Sequence, residues 1–419
     1  MTSSSENSDS RWTRYRLGNQ FWIFLAASCL FNLGMFMYVL LYNLYLLDLG
    51  YKEDFLGWVS SAMTAGNILG AVAAVTFNRR IGLKASVLVF FVSMPVISTM
   101  RALVTDRLTL LGFAFLAGTF FSIWAISFAV VIAQVTTAEQ RPIGFSVYLA
   151  TVIGVGVIAD PVGGHLPKWL TALFNLTGEA QAKQFALLLA CCVVSLAIWP
   201  AARMRLARMT DGARVSYPRN QFIFRFLIAV AVLNVATAAF NPFANAFFSK
   251  HLRMPADQIG LVFSGGQFAQ VVAILISPLI LKRFGLVWGV ASMEFAAGIS
   301  LLFLATGPPA MMAASGYAGY LAFQWMDEPA MESLLMTRVQ PHERSGAAAM
   351  MYMTIFAAGA VTAPLAGKGI THFGYSAVMT VAAILLLVGG MLFGLLLKKY
   401  EREAELPSAE LTTNSATAD

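Results

Sequence analysis

The sequence predicts an all-α membrane protein of twelve transmembrane helices, arranged as two pseudo-symmetric six-helix bundles. Three observations predict it. First, 58% of the 419 residues are hydrophobic and only 12% charged, with mean hydropathy +0.71, whereas soluble domains carry about a quarter charged residues. Second, apolar stretches long enough to cross a bilayer recur at 20–47, 55–78, 85–104, 108–134, 143–165 and 184–202 (spans 1 to 6), and at 221–248, 259–281, 286–306, 310–336, 346–367 and 376–397 (spans 7 to 12). Third, the two sets of six repeat one another.

The repeat is clearest around span 2. Residues 56–84, LGWVSSAMTAGNILGAVAAVTFNRRIGLK, align without a gap on 259–287, IGLVFSGGQFAQVVAILISPLILKRFGLV. Gly57 pairs with Gly260, Ser61 with Ser264, Arg80 with Arg283 and Gly82 with Gly285. The same register joins Arg141 to Arg344, Gly156 to Gly359, Pro161 to Pro364 and Gly164 to Gly367, and one residue out of it Asn32 meets Asn234 and Asn43 meets Asn245. Chance matches between apolar residues do not hold one register across several spans and their turns. Two parallel six-span repeats are the simplest source. The expected organisation is a polar cytoplasmic N-tail (1–17), a first bundle (18–202), a basic central cytoplasmic loop (203–220), a second bundle (221–400) and a disordered C-tail (401–419).

The remaining composition narrows the function. The first apolar run is too long for the core of a cleavable signal peptide. Cys29, Cys191 and Cys192 lie in apolar spans and the four histidines are scattered, so no disulfide framework, metal set or cofactor is expected. The net charge of +7 does not point to nucleic acid, because Lys and Arg are dispersed among short loops. Most of them fall on one side if the N-terminus is inside, and the positive-inside rule then places both termini in the cytoplasm. No Gly-rich Lys-Ser/Thr loop precedes a helix, which argues against ATP hydrolysis as the energy source. No nucleophile–base pair suggests an enzyme.

Six plus six spans, a central basic loop and basic-Gly turns after spans 2 and 8 resemble the major facilitator superfamily, over about residues 18–400. That family's loop after span 2 reads Gly-x-x-x-Asp-Arg-x-Gly-Arg-Lys. Arg80, Gly82 and Lys84 fit it, while Arg79 stands where the Asp is expected and Val75 where the first Gly is. With Arg283, Gly285, Pro161 and Pro364, the resemblance makes these the gating and loop residues. Span 5, Gly156-x-x-x-Asp160-Pro161-x-x-Gly164, is similar to that of members exporting by antiport, which carry Gly where Asp160 stands. Span 4 has Ala114 about where drug antiporters carry Arg.

The resemblance implies that spans 1, 4, 7 and 10 line a central cavity. Span 10 holds the stretch Gly319–Thr337, with Asp327, Glu328 and Glu332. On a continuous helix Gln324, Asp327, Glu328, Met331 and Glu332 share an arc of about 140°. A carboxylate facing lipid costs several kcal/mol, so that face is expected to look into protein or water. Asp327, Glu328 and Glu332 are the expected proton-coupling residues, with snorkelling to the interface the alternative for Glu332. Span 7 places Asn234, Asn241 and Asn245 within about 40° of one another, and span 1 places Asn32 and Asn43 about 20° apart. With Gln324 these amides are candidates to bind substrate, and helix–helix packing is the alternative. Trp124, at the repeat position of Asp327, would add an aromatic surface suited to a cation or would face lipid. Asp160 and Arg101 are expected to pair, and Glu294 to reach the inner interface.

The expected function is secondary transport by alternating access, as proton-coupled efflux of a small amphiphilic compound by a monomer in the plasma (inner) membrane. The alternatives are symport or import of a polar metabolite such as a sugar or organic ion, and a non-transporting receptor or lipid facilitator. The partners are a small-molecule substrate, protons and the bilayer.

Overall fold

The computed structural model describes residues 17–137, 140–207 and 216–401. The N-tail up to residue 16, residues 208–215 of the central loop and the C-tail beyond residue 401 lie outside the described residues, as do the side chains of Val75 and Arg79.

Among the described residues nine helices are long and apolar enough to cross a membrane. Spans 1 to 6 form Asn19–Asp48, Glu53–Ile81, Leu83–Leu103, Arg107–Val135, Arg141–Phe174 and Glu179–Arg203. Span 7 begins at Gln221 and runs to His251 through a short 3-10 turn at Asn241–Phe243 and a π-helical end. Spans 8 and 9 lie within Ala256–Ala305, broken at Gly285, and spans 11 and 12 within Arg344–Leu397, broken at Gly374. Span 10 is two pieces, Ala310–Met326 and Glu328–Arg338. This is consistent with twelve crossings in a multi-pass membrane protein. Large apolar side chains such as Leu108, Leu275, Leu279 and Phe373 stand exposed, as a lipid-facing surface requires.

The turn glycines of the repeat behave alike. Gly82 has φ 88° and Gly285 φ 78°, a region that side-chain-bearing residues rarely occupy, so each ends one span and starts the next.

Contacts divide the chain into two compact units, Met1–Ala213 with Pro242–Phe268 and Ala360–His372, and Arg214–Asn241 with Ala269–Gly359 and Phe373–Asp419. In the first, rings from spans 1, 3, 4 and 5 form the core. Trp124 stacks on Phe90 at 5.1 Å and meets Phe91 edge-on at 5.1 Å, while Phe24 stacks on Tyr148 at 5.4 Å. Spans 2 and 4 touch backbone to backbone: a Cβ on Gly66 would lie 1.9 Å from the Phe115 carbonyl oxygen, and one on Gly118 1.8 Å from that of Met63.

The first unit also holds two seams that copy each other through the repeat. Between spans 2 and 11, Gly57 packs on the Ala363 carbonyl, Gly367 on that of Glu53, and Ser61 Oγ donates to Ala360 O at 2.6 Å. Between spans 5 and 8, Gly260 packs on the Asp160 carbonyl, Gly164 on that of Ala256, and Ser264 Oγ donates to Val157 O at 2.7 Å. Each of these glycine and serine contacts in one seam is the repeat partner of one in the other.

Candidate functional site

The second unit gathers polar groups around the interruption in span 10. Pro329 has no N–H to offer the Trp325 carbonyl one turn back, and the helix parts at Asp327, which ends one piece and begins the next. The single acidic face expected of a continuous helix is therefore divided. Asp327 is 1% exposed and faces Glu294 of span 9, itself 3% exposed, within hydrogen-bond reach. That corrects the expectation for Glu294, which stays inside the bundle instead of reaching the interface. Glu328 is half-buried at the start of the second piece. Glu332, a turn further on, accepts a 3.0 Å bond from Tyr352 Oη of span 11.

Among the described residues no Lys, Arg or His forms an ion pair with any of these four acids; the ion pairs present are Lys168–Asp257, Lys183–Asp48 and Lys183–Glu179. Neither Asp327 carboxyl oxygen has a hydrogen-bond donor in the ionised form. Two buried carboxyls side by side can bond only if one of them carries a proton, because ionised carboxylates accept and do not donate. Chemically, the arrangement can bind a proton or a cation, and it lacks a built-in counter-ion.

One turn before the break lies a neutral polar group. Tyr320 Oη donates to Asn241 Oδ1 at 2.6 Å, and Asn241 Nδ2 donates to Gln324 Oε1 at 3.4 Å. Asn241 remains exposed. Thus Asn241 and Gln324, from spans 7 and 10, come together as candidates, joined by Tyr320, which sequence reasoning missed. Its only signal was its place one helical turn before Gln324.

The other expected binding residues behave differently. Asn32 Nδ2 donates to Ser28 O and Asn234 Nδ2 to Val230 O, at 2.8 and 2.9 Å, each capping a carbonyl of its own helix at equivalent repeat positions. Asn43 and Asn245 clasp spans 1 and 7 within the first unit. Asn43 Nδ2 donates to Pro242 O at 2.8 Å, Asn245 Nδ2 to Leu40 O at 3.0 Å, and Asn43 Nδ2 to Asn245 Oδ1 at 3.2 Å. These are bonds of the kind the packing alternative expects. Trp124 is likewise corrected: it is 4% exposed in the aromatic core and presents no open aromatic surface, because Phe90 and Phe91 cover it. Asp160 does not pair with Arg101. Its partner is Gln267, while the Arg101 guanidinium lies over the Tyr42 ring at 4.1 Å.

The clasp gives a measurable expectation. Asn43→Ala and Asn245→Ala should each lower stability by about 1 kcal/mol, the scale of interhelical hydrogen bonds in membranes. The double mutant should lose less than the sum, since the two share a bond. Thermal unfolding of the detergent-solubilised protein checks this.

The loop residues fall at span ends. Arg80 and Arg283 are exposed beside Gly82 and Gly285, and Pro161 and Pro364 lie inside the helices of spans 5 and 11. After Gly285, the first N–H groups of span 9 are taken by Glu401: Val287 N donates at 3.0 Å and Trp288 N at 3.2 Å. A carboxylate at a helix N-terminus satisfies orphan donors and the helix dipole together. Nothing in the sequence pattern singled out Glu401, which comes from the far end of the chain.

The model for the Major Facilitator Superfamily matches residues 226–417. No protein of curated function matches the chain in sequence. Among solved structures, the nucleoside transporter NupG superposes with TM-score 0.73 at 15% identity, over 91% of this chain and 100% of the other. The fold is that of the major facilitator superfamily. A D-xylose-proton symporter gives 0.68 at 13% identity over 89% and 96%, and a bacterial homologue of the iron transporter ferroportin, in an inward-facing state, gives 0.70 at 12% over 90% and 98%. At these identities the likeness is one of fold.

Proposed function

We propose that this protein is a secondary active transporter that works by alternating access and exports small amphiphilic compounds in exchange for protons. It sits in the plasma (inner) membrane as a monomer, with both termini cytoplasmic. The observation that carries the coupling is the set of Glu294, Asp327, Glu328 and Glu332 around the break in span 10, without a basic partner among the described residues. Carboxyls are expensive within a membrane and are retained there for function. A cationic cargo and a proton can compete for the same oxygens, which is the minimum requirement of antiport.

A second reading is favoured by Tyr320, Asn241 and Gln324. Hydroxyl and amide groups match the hydrogen-bonding needs of a polar metabolite, and the fold neighbours include a nucleoside transporter and a proton symporter. Import of such a solute with protons is the alternative. Proteoliposomes with an imposed pH gradient separate the two. Antiport moves an amphiphilic cation toward the acidic side, whereas symport moves a polar solute with the protons toward the alkaline side. Flux unaffected by the gradient would refute both.

A further inference from the structure

The two matched seams of the first unit carry chemically different side chains where Asp160 and Gln267 stand. Where the seam between spans 2 and 11 has Ala363 and Thr64, the seam between spans 5 and 8 has their repeat partners Asp160 and Gln267. Thr64 bonds the Ser60 carbonyl of its own helix at 2.8 Å. Asp160 and Gln267 instead bond each other across the seam, Gln267 Nε2 donating to Asp160 Oδ2 at 2.5 Å. The twin seam makes the same glycine and serine contacts with Ala363 at the repeat position of Asp160, so packing does not require an acid there.

Asp160 is 2% exposed and Gln267 9%. Gln267 Oε1 is buried with no donor in the ionised arrangement, lying against Gly156, where even a Cβ would be 1.7 Å away. The ionisable groups nearest along the seam are otherwise engaged. His165 Nδ1 contacts Pro161 O at 2.9 Å, one turn from Asp160 on the same span, and Lys168 pairs with Asp257 of span 8 at 2.8 Å. On the neighbouring spans 1 and 3, Tyr42 and Arg101 face each other. None of these groups supplies a counter-charge to the Asp160 carboxyl.

We infer that Asp160 is a proton-binding site and that, in the closed seam between spans 5 and 8, it holds a proton. Its O–H donates to Gln267 Oε1 while Gln267 Nε2 donates to the other carboxyl oxygen, a reciprocal acid–amide pair that satisfies the orphaned acceptor. Turning the amide over does not remove the need, because acceptor would then face acceptor across the same short separation. Loss of the proton leaves a buried carboxylate with one donor and an unpaired carbonyl, a costly state. Opening the seam hydrates both groups. Proton release and seam opening are therefore linked, and this proton site is separate from the acids of span 10 and independent of what is carried.

The experiment compares the wild type with Asp160→Asn and Asp160→Ala in nanodiscs. Asn keeps a reciprocal amide pair with Gln267, and Ala is the residue the twin seam carries at this position, so at least one variant keeps the fold. Infrared spectra report the C=O band of a protonated carboxyl, and hydrogen exchange reports protection of residues 156–168 and 257–268, between about pH 5 and 9. In the wild type, protection falls as pH rises and a component of the carboxylic-acid band disappears with it. In the variants the component of that band that titrates together with seam protection is missing, while the contribution of the Glu294–Asp327 pair remains, and protection no longer depends on pH, although His165, Lys168 and Asp257 are unchanged. No carboxylic-acid component lost on Asp160→Asn, a wild-type seam indifferent to pH, or a pH dependence that persists in the variants overturns the inference.

Discussion

Glu328→Gln will abolish accumulation driven by a pH gradient while leaving exchange of labelled for unlabelled cargo intact. Glu328 is the acid of span 10 left half-buried, whereas Asp327 is taken by Glu294 and Glu332 by Tyr352. It stands at the first turn of the second half-helix, where a negative charge is favoured by the helix dipole. Glutamine preserves its shape and hydrogen-bonding capacity but cannot give up a proton. One unit of pH is worth about 1.4 kcal/mol, roughly a tenfold accumulation for each proton exchanged. The variant should reduce that tenfold to no accumulation at all. Asp327→Asn tests the buried pair in the same assay. If Asp327 and Glu294 only share a resident proton, accumulation persists; if they exchange it in each cycle, it is lost.

Gly118→Val should be the most damaging of the small-to-large substitutions in the first unit. The added side chain would begin 1.8 Å from the Met63 carbonyl oxygen, which is backbone and cannot rotate away. Span 2 must then separate from span 4, losing the contact that Gly66 and Gly70 make on the other side of the same joint. Overpacking costs about 1–3 kcal/mol where neighbours can yield, and rigid backbone places this site at the upper end. Thermal unfolding in detergent and the yield of monodisperse protein measure it. Gly112→Val, at a position with nothing within 4 Å, serves as the control and should leave both unchanged.

The architecture was legible because a bilayer enforces it. Twenty apolar residues in succession have few alternatives to a helix, and a turn such as Arg80-Ile81-Gly82 repeated as Arg283-Phe284-Gly285 marks both copies of one structural unit. The repeat also shows in which residues meet, for Gly57 on Ala363 and Gly260 on Asp160 are one contact made twice. Side-chain partners were less legible. The arc through Asp327 and Glu332 assumed an unbroken helix, and Pro329 breaks it between them. Helical geometry puts Asn43 and Asn32 on one face, yet one clasps another span and the other caps its own. Glu294 was expected at the inner interface, but its side chain turns inward to Asp327. Each of these choices depends on which neighbour lies within reach, and a single sequence carries that only where a repeat exposes it.

Proton movement itself is the most direct test of the coupling. Proteoliposomes holding an internal pH indicator, with no gradient imposed, receive an amphiphilic cation from outside. Its entry down its own gradient should drive protons outward, raising the internal pH, and Glu328→Gln should remove that signal. Entry of the compound with no proton movement, or the same movement in the wild type and the variant, would contradict a coupling role for the acids of span 10.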